Sequence, residues 1–385
     1  MPFNDVKENN IDSNQIKIPL AQVNYTEEEV DAVSEVIRSG WLIFGKNVEI
    51  FEEKFAQLVG VKHTIAVNSG SSALLVALQA LGIERDDEVI VPDMSFISTG
   101  TACLYLGAKP VFVDINLKNY CIDVQGIEEK ITDKTKVILP VHYWGHTADM
   151  DEIIELSRKY KLKILEDSAE AHLSTYNGIN FAGTLGDIAI FSFTPSKPMT
   201  TGEGGMITTN NDELAELCRR IINFGDYGKF DNRILGFNFR MQDMNGALGR
   251  IQLDRLPDAI DERQKIGENY TKVLVDVPGI ICPIPRTKSD SNYQIYPIRL
   301  DLDIVKCSKE QFIHEMLIRG IHCRTYYPAF HNQGVFKEFK SSGDFPNADL
   351  FARSSFVLPL YPALTEFDQE YILESVAEIA NDNLK

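Results

Sequence analysis

The run HTIAVNSGSSALLVALQAL, residues 63–81, changes its pattern twice. Thr64 to Val67 is a short apolar stretch that reads as a buried strand. Ser69, Gly70, Ser71 and Ser72 make a tight turn, and Ala73 to Leu81 is strongly apolar, as in a buried helix. Strand, Gly/Ser turn and helix in that order aim backbone N–H groups and hydroxyls at one point. Two readings are open there: a phosphate cradle, or plain capping of the helix by serine.

Upstream, Thr26 precedes three glutamates, an N-cap with acids at the positive end of a helix dipole. The helix runs from Tyr25 to Ser39 with an apolar stripe of Val30, Val33, Val36 and Ile37, and Gly40 ends it. Val48 to Leu58 forms a second amphipathic helix closed by Gly60. Downstream, EVIVPD, KPVFVDI, KVILPVH and KILEDSA alternate with helices after Phe96, near Val124 to Ile131, and over Met150 to Tyr160. GDIAIFSF and GGMITTN add strands, and Asp212 to Gly225 adds a helix. Strands rich in Val and Ile that alternate with helices imply an α/β fold: a mostly parallel central sheet covered on both faces, a three-layer α/β/α large domain. No G-x-G-x-x-G opens a helix after a strand, so a dinucleotide fingerprint is excluded.

A long helix begins near Asp243 and runs through Leu256, with Pro257 disturbing its course. Beyond it, helices mix with strands such as YQIYPIRL, punctuated by PGIICPIPR. The length of 385 residues exceeds what one core usually serves. The expected division is a flexible tail over 1–16, a large domain over 17–256 and a smaller α+β domain over 257–385.

Hydrophobic content of 44% and charged content of 24% describe an ordinary globular chain. The net charge of −18 excludes broad nucleic-acid binding through a basic surface and argues against anionic lipid. No run of about 18 apolar residues suggests a membrane span. The polar start MPFNDVKENNIDSNQ lacks the apolar centre of a signal peptide. Cys103, Cys121, Cys218, Cys282, Cys307 and Cys323 are scattered without metal-binding spacing, so they read as buried hydrophobes in a reducing cytosol, with no metal expected. The expected location is cytoplasmic.

One lysine stands apart. Lys197 lies in FSFTPSKPMTTGEGG, between an apolar strand and a turn-rich tail holding Gly202, Gly204 and Gly205, a segment shaped for a ligand. Such a lysine suits a Schiff base with a carbonyl cofactor. The Ser71/Ser72 turn, Asp167 at the end of a strand, and Lys197 fall on successive pieces of the sheet. In a parallel sheet the loops at the carboxyl ends share one edge, where ligands bind. Phosphate needs the cradle, an aldehyde needs the amine, and a ring nitrogen needs an anion; together these match pyridoxal 5'-phosphate. Taken alone, Asp167 reads equally as a cap after a strand.

At this point the chain resembles the DegT/DnrJ/EryC1/StrS sugar aminotransferases, of the aspartate aminotransferase fold type I, from about Ile18 to the C-terminus. SFTPSKPMTTGEGGMITTN is close to that family's Schiff-base signature. SGWLIFGKNVEIFEEKFA, VNSGSSALLVALQAL, PDMSFISTGTACLYLGAKPVFVDI, GHTADMDEI, EDSAEAH, LGFNFRMQDMNGALGRIQL and YYPAFH follow in family order. The resemblance implies Lys197 as imine lysine and general acid/base, and Asp167 as partner of the ring nitrogen. It implies Ser71, Ser72 and Ser192 as phosphate ligands and Phe96 as the aromatic stacked on the ring. Glu170 stands near the 3-hydroxyl, where the family often has Gln, and Thr194 stands where many relatives have His. Asn238 resembles the asparagine that reaches the cofactor of a neighbouring subunit, which implies a homodimer with shared active sites. Arg240 suits an anionic substrate group or a surface ion pair; Tyr326, Tyr327 and His331 match a substrate-side loop. His172 reads as a packing or capping residue.

A branch of the family with His in place of the lysine performs deoxygenation, so Lys197 implies transamination. The implied reaction takes an amino group from glutamate or glutamine, through the pyridoxamine phosphate form, to a keto-sugar on a nucleotide diphosphate. A keto-cyclitol acceptor and a non-catalytic regulator on the same fold are the alternatives.

Overall fold

The computed structural model describes residues 16–342 and 344–385. The expected tail over 1–16 lies outside the described residues apart from Ile16. Seven strands form the main sheet: β1 (His63–Val67), β2 (Glu88–Pro92), β3 (Lys109–Val113), β4 (Thr135–Ile138), β5 (Lys163–Asp167), β8 (Ile188–Ser192) and β9 (Gly205–Thr209). A two-residue hairpin, β6 (Thr175–Tyr176) with β7 (Asn180–Phe181), lies between β5 and β8 in the chain. The order across the sheet is β1-β9-β8-β5-β4-β2-β3. From β3 to β8 every pairing is parallel, while β9 runs antiparallel to both β8 and β1. The sheet is therefore mostly parallel, as the Val- and Ile-rich strands imply, with β8 and β9 buried along their whole length.

Helices cover the faces. Gly70–Ala80, capped by the Ser69 hydroxyl, is apolar and buried over most of its length between sheet and neighbouring helices. Glu27–Ser39 starts with a full capping box between Thr26 and Glu29. Its expected stripe differs: Val30 and Ile37 are 53% and 58% exposed, while Ala32 and Val36 are buried against Ala247. The helix lays a narrow, small-residue face on the helix Asp243–Leu274, so larger branched residues at its edges stay outside.

Three other boundaries depart from expectation. Val124–Gly126 and Glu128–Lys130 are separate 3₁₀ turns rather than one helix. The first turn ends at Gly126, and eight residues interrupted by a glycine give too little length to sustain an α-helix. The helix Asp212–Ile221 stops short of Gly225, because Phe224 turns left-handed at φ +61 and Gly225 follows at φ +69. Asp243–Leu274 continues past Pro257 as one helix rather than ending near Leu256, so it spans the position where the smaller domain is expected to begin, joined by a continuing helix.

The C-terminal part carries a second, antiparallel sheet of β10 (Ile280–Ile281), β11 (Tyr296–Leu300) and β12 (Ser355–Leu358), in that order. Tyr270, Tyr296, Phe312 and Phe356 form its core with residues of the helices Lys309–Ile318 and Glu366–Asp382.

Candidate active site

The carboxyl ends of β2, β5 and β8 deliver Asp93, Asp167 and Ser192 to one side of the sheet. After β8 the chain closes a tight loop on itself. Thr201 N–H and Thr200 Oγ1 both donate to the Phe193 carbonyl, at 3.0 and 2.8 Å, and Gly202 takes φ +81. That left-handed turn is the reason for glycine at 202. The loop holds Lys197 with its side chain 10% exposed, and Nζ donates to Glu170 Oε1 at 3.0 Å.

Asp167 is buried. Its Oδ2 accepts from Thr99 Oγ1 at 2.9 Å and its Oδ1 from Ala169 N–H at 3.1 Å. Burial raises the carboxyl's pKa above the ordinary value. The two hydrogen bonds and the Lys197 charge pull it back, and the neighbouring Glu170 pushes the other way. A buried carboxylate with so little compensation favours a cation brought beside it.

The turn at Ser69–Ser72 answers to both sequence readings. Ser69 Oγ caps the helix by accepting Ser72 N–H at 3.1 Å, and Ser72 Oγ donates to Asn68 Oδ1 at 2.7 Å. Ser71 Oγ bonds to Ser98 Oγ at 2.6 Å. Gly70 packs so tightly on β8 that a Cβ there would sit 2.8 Å from Ser192 Cβ and 3.1 Å from its hydroxyl oxygen. Ser192 therefore stands against the N-terminus of the helix Gly70–Ala80, and a side chain at 70 would fill the concavity.

Phe96 is the residue before the helix Ile97–Tyr105; it is 47% exposed, and its ring meets Tyr327 edge-on at 5.2 Å between centroids. Tyr327 in turn contacts Tyr326, which meets the buried Trp144. Burial, reinforced by the charge of Glu170, holds the Tyr327 hydroxyl well above its ordinary pKa, so it is a neutral donor.

Other expected residues are engaged within the chain. His331 Nδ1 lies 2.5 Å from Asp93 Oδ2, and its own N–H donates to Asp93 Oδ1 at 3.0 Å. The Arg240 guanidinium donates to Asn223 Oδ1 and lies over the Phe224 ring, a neutral setting rather than a surface ion pair. Asn238 pairs through its backbone with Asn223. His172 is buried without a hydrogen-bond partner between the rings of Phe191 and Phe193. Burial lowers its pKa to about 3, so it packs as a neutral ring. Thr194 Oγ1 lies 3.4 Å from Ser196 Oγ.

Four groups essential to this arrangement escaped the sequence reading. Thr99 holds Asp167; the Trp144 N–H holds Glu170 Oε2 at 2.8 Å; Asn292 Nδ2 donates to the Glu170 carbonyl at 2.9 Å; Gln294 Nε2 donates to the Ser196 carbonyl at 3.0 Å. Only Thr99 carried a signal, as a hydroxyl in the first turn of a helix at the ligand edge. Among the described residues, no group of three or more His, Cys, Asp or Glu is placed to hold a metal ion, and no helix is long and apolar enough to cross a membrane.

Residues 23–377 match the DegT/DnrJ/EryC1/StrS aminotransferase family. GDP-perosamine synthase of Caulobacter vibrioides is 34% identical over 372 residues, covering 94% of this chain and 98% of that protein. The structure of DesV from S. venezuelae, solved in complex with a ketimine intermediate, is similar with a TM-score of 0.89 at 33% identity, over 94% of this chain and 98% of that one. Spr1654 of Streptococcus pneumoniae in its PLP form is similar at a TM-score of 0.87 and 27% identity, over 95% and 99%.

Proposed function

From a chain that belongs to the DegT/DnrJ/EryC1/StrS family and is a pyridoxal-phosphate-dependent aminotransferase, we propose an enzyme that moves an amino group from glutamate or glutamine to a keto-sugar carried on a nucleotide diphosphate. The observation that carries this reading is Lys197, a nearly buried amine on the same sheet edge as the buried carboxylate of Asp167 and the concavity at Gly70 and Ser192. The residues present suit the cofactor. Ser71, Ser72 and Ser192 would hold its phosphate, Asp167 its ring nitrogen, and Phe96, exposed at the edge, its ring face. Bound pyridoxal phosphate supplies the electron sink for the carbanion formed when the donor loses its proton.

The chain's own groups supply the rest. Lys197 Nζ would take the proton from the donor's α-carbon and return it to the carbon on the other side of the nitrogen, a 1,3-shift that one base within reach of both positions can serve. Asp167, kept from water, stays anionic when a cation sits beside it and so favours the protonated ring. Tyr326 and Tyr327 would line the acceptor side. The half-exposed apolar run Trp41, Leu42 and Ile43, 58%, 44% and 59% exposed, supports a second copy of the chain as partner. In that dimer Asn238 would reach the neighbouring site. Six free, buried cysteines support a reducing, cytosolic setting.

The test is direct. Purified protein loaded with cofactor should lose its visible absorption band on addition of glutamate or glutamine and regain it with the right acceptor. A panel of nucleotide keto-sugars and keto-cyclitols then separates the acceptor classes. Recovery only with a keto-cyclitol would overturn the sugar assignment. Mixing Lys197→Ala with Asn238→Ala chains should restore part of the activity if sites are shared; no recovery in mixed dimers rules out the crossing role of Asn238.

A further inference from the structure

We propose that Glu170 is the positioning residue for the Lys197 amine, and that a frame built from distant chain segments fixes its aim. This rests on the reading of Lys197 given above. Glu170 Oε1 is the acceptor for Lys197 Nζ at 3.0 Å, and both side chains are nearly buried, at 7% and 10% exposure. The lysine side chain has many rotamers, and a single fixed acceptor selects one of them.

The other carboxylate oxygen is held as firmly. Glu170 Oε2 accepts the Trp144 N–H at 2.8 Å, from a residue at φ +57, a conformation that bulky side chains rarely adopt. Gly145 follows at φ +90, where a Cβ would lie 2.0 Å from Asn292 Oδ1. The strained turn is thus wedged against Asn292. The same asparagine donates to the carbonyls of Glu170 and His172, each at 2.9 Å. Two residues on, Gln294 donates to the carbonyl of Ser196, the neighbour of Lys197, while its own N–H bonds to Asn292 Oδ1 at 2.8 Å. One short segment before β11 therefore holds the carbonyl of Glu170 and the carbonyl of the residue just before Lys197.

A buried ion pair kept only for stability is a poor bargain, because the desolvation it costs often matches its attraction. Here the surrounding donors are spent on orientation. The strained Trp144 peptide and the Asn292–Gln294 segment together set where Nζ points, and this matters whenever the amine is not bonded to a partner.

The experiment uses the full chain stripped of cofactor, as wild type and as Glu170→Ala, Glu170→Gln and Gln294→Ala, with folding checked by circular dichroism. Each is mixed with pyridoxal phosphate over a pH series. The rise of visible absorbance is compared at the alkaline plateau, where protonation of the amine no longer limits the rate. Borohydride reduction and mass spectrometry then report which lysine carries the cofactor. Wild type should label Lys197. Glu170→Ala should attach there roughly tenfold more slowly and spill onto other lysines, Glu170→Gln should fall between, and Gln294→Ala should be about threefold slower. If Glu170→Ala fails to fold, Glu170→Gln, of nearly the same volume, decides. A folded Glu170 variant that labels Lys197 at the wild-type rate and selectivity overturns the proposal. Wild-type chain that leaves Lys197 unlabelled overturns the functional reading itself, and this inference with it.

Discussion

Glu166 and Asp167 are neighbours on β5, both buried, and the strand's alternation points them to opposite faces of the sheet. Glu166 is saturated. Its Oε1 accepts from Leu185 and Gly186 N–H at 2.7 and 2.6 Å, and its Oε2 accepts from Gly183 N–H and meets His142 Nε2, both at 2.9 Å. Ala148 N–H donates to His142 Nδ1 at 3.1 Å, so the proton of a neutral ring sits on Nε2 and points at Glu166. Asp167 has two donors and a charge that burial opposes. One carboxylate has every lone pair engaged by the fold; the other keeps acceptor capacity. Partner count thus separates two acidic residues that stand side by side, and it is what the proposed role of Asp167 rests on.

The largest expected effect tests the side of Asp167. Lys197→Ala should lower turnover by roughly three orders of magnitude or more, because amine transfer and proton shuttling share that atom. Residual turnover within tenfold of wild type would break the assignment of this face as the reactive one. Next comes the paired exchange. Asp167→Asn should cut kcat by roughly a hundredfold while the melting temperature holds. Glu166→Gln should instead cost about 3 kcal/mol of stability, since an amide cannot accept from every donor now present, with activity per folded molecule nearly kept. If the two phenotypes exchange, the contrast fails.

Thr99→Val sharpens it further. Removing the hydroxyl that donates to Asp167 Oδ2 should reduce kcat by about tenfold, the equivalent of one charge-assisted hydrogen bond, with KM for the donor little changed. An unchanged kcat would show that Asp167 needs no such support.

The smallest effect concerns Asp93, the buried carboxylate that His331 engages. Burial raises its pKa from 3.8 to about 6, with the His331 contacts pulling down. Between those values the folded carboxyl keeps a proton that the unfolded one has released. Its contribution to stability is therefore present below pH 3.8 and is lost as pH rises to about 6. Asp93→Asn should remove that component from the slope of Tm against pH in this window. An identical slope in both proteins would contradict it.

Much of this was legible along the chain. The strands follow from their apolar period; the Ser69–Ser72 turn, Asp167 and Lys197 each have a plain structural alternative, and their order along the chain, with the family resemblance, singles them out. The family resemblance placed His331 on a substrate-side loop; its ring meets Asp93, 238 positions earlier, a contact that local pattern does not announce. The stripe on Glu27–Ser39 was misread because periodicity ranks residues by apolarity, while the packing partner, Ala247 and its neighbours, accepts only a narrow face. Trp144, Asn292 and Gln294 stand out by no local pattern, and all three act through backbone or backbone-directed bonds that side-chain type does not announce.

What the sequence by itself determined is the alternation that makes a mostly parallel sheet, and the placement of amine, carboxylate and Gly/Ser turn at strand ends that share an edge. Those follow from short-range rules: hydrophobic period, capping, and glycine where the backbone turns left-handed. How many donors each of two adjacent carboxylates meets, and which acceptor the Lys197 amine faces, were decided by tertiary structure alone. Both depend on donors brought from Thr99, Trp144, Asn292 and Gln294, and a donor's direction exists only once the chain has closed around it.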